Sequence, residues 1–325
     1  MPFVFDPLVI LSGAGVGFVV GLTGMGGGAL MTPILVLLFG IEPLTAVSSD
    51  IVASMVMKPI GGAVHWKRGT VHKSLVKWLM LGSIPTAFLG VLLLRKVGHG
   101  AALQGGVKSA LGIALLVVVT GLIVKPLLGA RRKPGDSMIP FVVKPMPTLL
   151  IGIVGGLIVG ITSVGSGSLI IIMLMMLYPR MRLSELVGTD LVQAVPLVTS
   201  AALGHLLFGS FKLGLTTSIL IGSVPGVFFG ARFSSRAPDY LIRPALIVVL
   251  LLSGLKLVNV PNKVVGTLAP IVLLGGMTYA LWAWRRARVG RSRRAAPRVP
   301  GWSPPPPGSA WRDARPTACT RRRRR

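Results

Sequence analysis

Residues 19–33 read VVGLTGMGGGALMTP and residues 158–172 read IVGITSVGSGSLIII. Each stretch starts apolar, breaks at a block of small residues and resumes apolar. At an offset of 139 positions, Gly21, Thr23, Gly26, Gly28 and Leu30 recur as Gly160, Thr162, Gly165, Gly167 and Leu169. Glycine is the poorest helix former after proline, so each block predicts that one helix stops and another begins. The two blocks interrupt the apolar runs 8–39 and 148–178, both too long for one ordinary membrane crossing of about 20 residues.

The correspondence extends outward from the two blocks. Beyond a one-residue insertion the offset becomes 140, and Asp50, His65, Gly69, Gly82, Ser83, Pro85 and Gly90 recur as Asp190, His205, Gly209, Gly222, Ser223, Pro225 and Gly230. Matches over so long a stretch at a nearly constant offset predict an internal duplication. Further apolar segments at 43–64, 72–94, 103–128, 184–208, 211–232, 240–258 and 264–284 are separated by short loops that carry most of the charge. The fold class expected is an all-α polytopic membrane protein of about 8–9 hydrophobic segments in two homologous halves. The first repeat is 1–128, a cytoplasmic linker 129–147, the second repeat 148–258, an additional C-terminal helix 259–284, and a disordered Arg/Pro-rich tail 285–325.

Composition supports the bilayer as solvent. The chain is 52% hydrophobic and 13% charged, against about 25% charged in soluble domains, and its mean hydropathy is +0.77. The first apolar run lacks a basic stretch before it and reads as a retained segment, not a cleaved signal. Cys319 has no partner in the chain, so neither a disulfide nor a thiolate metal site is expected. The net charge of +27 is concentrated in loops and in the tail, where Arg321 to Arg325 follow a proline block. That tail reads as a cytoplasmic anchor against anionic lipid headgroups, not as a nucleic-acid binder.

Loop charge bears on orientation. The basic loops 67–73, 125–144, 180–182 and 232–243 and the tail all face the cytoplasm if each broken segment enters and leaves on one side or crosses twice. The halves are then inverted with respect to one another. Four spans per half would give parallel repeats instead, an arrangement in which Arg95 and Lys96 fit more easily. The plasma membrane is the expected location.

The first glycine block followed by Leu30 to Pro33, Asp50 on the next span and Gly82-Ser83-x-Pro85 on the one after, all repeated in the second half, resembles the sulfite exporter TauE/SafE family of membrane transporters. The resemblance covers roughly residues 8–258. It implies transport of small sulfur-containing or organic anions, such as sulfite or sulfonates. The second half departs from the first: Ser163 and Ser166 stand where Gly24 and Gly27 do, and Ile172 replaces Pro33.

A mechanism follows independently from backbone physics. A helix that starts within the membrane presents unpartnered N–H groups and a partial positive charge, an anion site that needs no lysine or arginine. The expected substrate-binding residues are Thr23, Gly24, Gly26, Gly27 and Gly28, with Thr162, Ser163, Gly165, Ser166, Gly167 and Ser168. Pure packing is the competing reading, and Gly152, Gly155, Gly156 and Gly160 are read as packing glycines. Asp50 and Asp190, the acidic residues well inside the spans, either couple transport to protons or hold the glycine breaks open. His65 and His205 are candidates for proton coupling or for structural support, and Pro85 and Pro225 for a hinge. The pattern indicates no catalytic residue, cofactor or metal site. A secondary transporter of small anions is expected, with an anion channel and a membrane-embedded enzyme as the other readings.

Overall fold

The computed structural model describes residues 6–23, 27–67, 69, 71–96, 100–129, 142–179, 181, 183–233, 239–276 and 278. The expectations placed on Gly24, Gly26, most of the 129–147 linker and the 285–325 tail lie outside the described residues, as does the side chain of His65. The described elements are helices: α1 (Pro7–Thr23), α2 (Gly28–Leu37), α3 (Pro43–Lys67), α4 (Lys73–Lys96), α5 (Ala101–Gly129), α6 (Pro145–Thr162), α7 (Leu169–Leu177), α8 (Leu183–Phe208), α9 (Leu213–Phe233) and α10 (Asp239–Leu257), with α11 at Asn262–Gly276. Among them α4, α5, α6, α8 and α9 are long and apolar enough to cross a membrane. The runs 8–39 and 148–178 each hold two helices, α1 with α2 and α6 with α7, because the small-residue blocks stop the first helix of each pair.

Close contacts at small residues fix the helix directions. Gly222 lies against Ile10, Gly226 against Ala14 and Gly230 against Phe18, so α1 and α9 run parallel. Gly152 lies against Leu79, Gly156 against Ser83 and Gly160 against Ala87, so α4 and α6 run parallel in the same way. These stripes repeat every four residues, the spacing that puts small residues on one helix face and lets two backbones touch. The packing role read for Gly152, Gly156 and Gly160 is what these contacts display, while Gly155 faces Ile170 of α7.

The remaining directions follow. Ser48 meets His205 and Gly62 meets Leu191, so α3 and α8 are antiparallel. Ser83 meets Gln193 and Gly204 meets Val91, so α4 and α8 are parallel. The start of α9 returns to α3, where the Lys212 N–H donates to Ser49 Oγ. Helices α1, α3 and α9 therefore point one way and α4, α6 and α8 the other. Between α1 and α3 the chain must double back, and α2 does so: Gly27 sits beside Met57 and Thr32 beside Asp50, antiparallel to α3. Helix α7 makes the equivalent return between α6 and α8.

Two apolar clusters flank the centre. One gathers Met31 and Leu35 of α2 with Leu111, Leu115 and Leu250 of α5 and α10. The other gathers Ile170 and Leu174 of α7 with Leu75, Leu79 and Leu197 of α4 and α8. Each short helix is thus enclosed by protein, as backbone that ends at membrane depth must be.

Candidate functional site

Asp50, Ser54 and Lys58 are spaced four apart on α3 and form one stripe directed inward, all of them buried. Asp50 Oδ2 accepts hydrogen bonds from Ser163 Oγ at 2.5 Å and Thr32 Oγ1 at 3.2 Å. One donor comes from each broken segment, so this carboxyl ties the two breaks together. Gly28, the first residue of α2, rests on Ser163: a Cβ placed there would come within 2.6 Å of Ser163 Oγ. Only glycine permits this approach of one break to the other.

The second break is held in a backbone shape that side chains resist. Ser163, the residue after α6, has φ 61 and ψ −7, in the left-handed region. Gly165 and Gly167 have φ 127 and φ 96. Left-handed geometry costs a residue with a Cβ about 1–2 kcal/mol, and the Ser163 hydroxyl is turned onto Asp50 in exchange.

Asp190 occupies the equivalent place on α8. Its Oδ1 accepts from Gln193 Nε2 at 2.9 Å, Gln193 Oε1 in turn accepts from Ser83 Oγ at 3.2 Å, and the Gly167 backbone also hydrogen-bonds the carboxylate. Lys58 Nζ donates to Ser166 Oγ, and its charge acts on both Asp190 and Asp50. Three polar atoms here are fully buried without a partner: Asp50 Oδ1, Asp190 Oδ2 and Ser54 Oγ.

The site therefore differs from the one expected. A lysine stands at its centre, where the sequence reading required no basic side chain. Lys58 lies inside the apolar segment 43–64, eight residues after Asp50, and a cation in mid-span was the signal that could have found it. The helix starts are also less open than expected, because Leu30 and Met31 N–H groups bond the Gly27 carbonyl and Leu169 and Ile170 N–H groups bond that of Gly165.

The other candidate residues separate by position. Gly27, Gly28, Ser163, Ser166 and Gly167 converge on the two aspartates and the lysine. Gly165 shapes the loop, and Ser168, buried at the start of α7, makes no capping bond. Thr23 and Thr162 spend their hydroxyl protons on the Val19 and Ile158 carbonyls one turn back, at 2.8 and 2.7 Å. His205 is fully buried and spans Ser48 Oγ and the Gly160 carbonyl, each at 2.9 Å, which makes it a tie between α3, α6 and α8. Pro85 and Pro225 are exposed on the outer faces of α4 and α9, away from this centre. Among the described residues no group of three or more His, Cys, Asp or Glu side chains is placed to hold a metal.

Chemically, the cluster encloses a lysine with hydroxyls and two carboxyls at the meeting of two interrupted helices. Broken helices that meet at membrane depth are the recurrent setting of transporter sites.

The chain is 42% identical over 253 residues to "Probable membrane transporter protein YjnA" of Bacillus subtilis (strain 168), covering 77% of this chain and 98% of that one. It is 25% identical over 257 residues to "Probable membrane transporter protein YdhB" of the same organism, covering 77% and 99%. It is 26% identical over 234 residues to a "Probable membrane transporter protein" of Xylella fastidiosa (strain Temecula1 / ATCC 700964), covering 70% and 85%. No solved structure matches the chain significantly. Residues 9–257, which contain both helix breaks, Asp50, Lys58 and Asp190, match the family described as Sulfite exporter TauE/SafE, and this integral membrane protein belongs to that family.

Proposed function

We propose that the protein is a secondary transporter of small anions, of the sulfite, sulfonate or related sulfur-containing organic class, in the plasma membrane. Lys58 carries the reading: it is a buried ammonium at the junction of the two helix breaks, hydrogen-bonded to Ser166 of one and sharing a helix face with Asp50, which contacts both. A lysine enclosed at membrane depth is costly and is kept where it meets a counter-charge or a ligand. Gly27, Gly28, Ser163, Ser166 and Gly167 surround this lysine and the two aspartates.

Alternating access is the mechanism, with 1–128 and 148–258 as inverted repeats that rock about the site. Two observations support this. Equivalent helices point opposite ways, α1 and α3 against α6 and α8. The packing pairs also exchange between halves, with α1 on α9 matching α6 on α4, and α2 on α10 matching α7 on α5. The helix directions put the end of α3 and the starts of α4, α6 and α8 on one side, next to the basic loops, which favours that side as cytoplasmic.

Flux of sulfite, thiosulfate and methanesulfonate into proteoliposomes tests the reading. Saturable uptake accelerated by the same anion on the far side is expected, with loss in Gly28→Leu. A folded protein that moves none of these anions refutes it, and flux without acceleration from the far side replaces the carrier with a channel.

A further inference from the structure

Three ionisable side chains meet at the centre: Asp50, Lys58 and Asp190, all buried. The other titratable groups on elements packed against α3 lie toward helix ends. Helix α2 has none, α3 itself ends with His65 and Lys67, α5 carries Lys108 and Lys125, α9 carries Arg232, α8 carries Glu185 and His205 besides Asp190, and α4, packed against α8, carries Lys73 and Lys77 near its start and Arg95 and Lys96 at its end. His205 is already held between Ser48 and Gly160, and Glu185 pairs with His72 at 3.8 Å. Charge balance at the centre is therefore the business of the three.

With all three ionised the centre carries one negative charge, and it is neutral when one carboxyl holds a proton. Asp50 is the carboxyl placed to hold it. Its Oδ2 is supplied by two hydroxyl donors, and Oδ1 has no partner, as does Ser54 Oγ one turn along the helix. A methyl group built on Gly27 would lie 3.8 Å from both atoms, so they border the same small space. Asp190 is then the counter-charge of Lys58, and the two are joined through adjacent residues of the second break: Lys58 donates to Ser166 and Asp190 accepts from Gly167.

We propose that Lys58 and Asp190 form an exchangeable pair: a singly charged anion replaces the carboxylate as the counter-charge of the ammonium, Asp190 takes a proton from water on the side of arrival, and one proton crosses with each anion. This rests on the reading of the protein as an anion transporter and names its coupling ion and substrate charge. The incoming oxyanion finds the Gly167 N–H that Asp190 gives up and Lys58 Nζ, which in the empty protein donates to Ser166, and Asp190 Oδ2, unpartnered now, is where the proton goes. The empty centre and the loaded centre are then both neutral. Neutrality matters because charge left uncompensated in a dry interior opposes the closed state through which a carrier must pass. A dianion would need a second proton acceptor, and the centre has none left.

Methanesulfonate is the probe, because its single charge does not change over the working pH range. The full chain in liposomes is given a methanesulfonate gradient, an internal pH dye and a potassium–valinomycin clamp on voltage. Wild type is expected to move one proton inward per methanesulfonate, at a rate indifferent to voltage. In Asp190→Asn the anion should still exchange for anion across the membrane, while proton-coupled net uptake falls about tenfold or more once neutrality of the empty centre is lost. Lys58→Met should lose both. Methanesulfonate uptake by wild type without protons, uptake driven by voltage, or undiminished proton movement in Asp190→Asn overturns the exchange and leaves the transporter standing. Absence of any anion flux through folded wild type removes the transporter reading itself.

Discussion

Ser163 allows the strain and the bonding of the second break to be measured separately. It sits at φ 61 and ψ −7 and donates to Asp50 Oδ2 at 2.5 Å. Ser163→Ala removes the hydroxyl and keeps the Cβ in the left-handed region. Leaving a buried acceptor one donor short costs about 1–3 kcal/mol. Thr32 still reaches the same oxygen at 3.2 Å, which places the loss toward the lower end, about 1–2 kcal/mol. Ser163→Gly removes the same hydroxyl but also the Cβ that the left-handed backbone resists, a relief of about 1–2 kcal/mol. Alanine should therefore be the less stable variant by about 1 kcal/mol, with glycine near wild type. In a helix interior the order would be reversed, since glycine is there the worse residue by about 1 kcal/mol. Reversible unfolding in mixed micelles by SDS titration reads the difference. If alanine proves as stable as glycine or more so, residue 163 is not in the left-handed conformation and the geometry argued for this break is wrong.

Other outcomes follow from the same contacts. Gly156→Val should prevent α4 from seating on α6, because its Cβ would meet Ser83 and Thr86; a loss of about 3 kcal/mol or more is expected, seen as aggregation on size exclusion in mild detergent. His205→Leu leaves Ser48 and the Gly160 carbonyl without their partner, so stability should fall by about 1–3 kcal/mol while the substrate KM of surviving protein stays at the wild-type value; a raised KM would return His205 to the transport path. Gly28→Ala, whose Cβ would clash with the Ser163 carbonyl oxygen, should push the two breaks apart and lower stability by about 1–3 kcal/mol as well as flux, measured by SDS titration and by uptake normalised to folded protein. Single cysteines at Glu42 and Arg180 should label from opposite faces of the membrane with an impermeant reagent, and labelling from the same face refutes the inverted arrangement.

The helices and their interruptions were legible because glycine blocks and apolar runs are one-dimensional signals. The break at Thr162 to Ser168 is written in residue types that disfavour helix, and the stripe Gly152, Gly156, Gly160 is a spacing. What the sequence could not display is which distant segments meet. Asp50 with Ser163, Lys58 with Ser166, and His205 with Gly160 are separated by 113, 108 and 45 positions, and no local pattern encodes such pairings. Lys58 has no counterpart in the second half, where Val198 stands at the matching position, so the repeat pattern does not mark it.

On the proposed function, that asymmetry bears on how many anions move at once. At the offset that relates Asp50 to Asp190, Lys58 corresponds to Val198, Ser54 to Ala194 and Gln193 to Ala53. On the inverted-repeat reading the backbone arrangement is matched across the halves, while the polar groups are not: α3 supplies the ammonium and the second break supplies Ser163 and Ser166. Two equivalent sites would require a second ammonium near Val198, which is fully apolar and 1% exposed. On the proposed mechanism the matched backbones give the protein two closures of similar energy, open to either side, and the unmatched chemistry gives it a single seat for charge. Introducing the missing partner tests this division. Val198→Lys places a second cation beside Asp190, where it should compete with Lys58 for the carboxylate, trap the anion and slow exchange without enlarging the number bound. Methanesulfonate binding at two per chain in that variant, measured by equilibrium dialysis, would show instead that each half carries a latent site of its own.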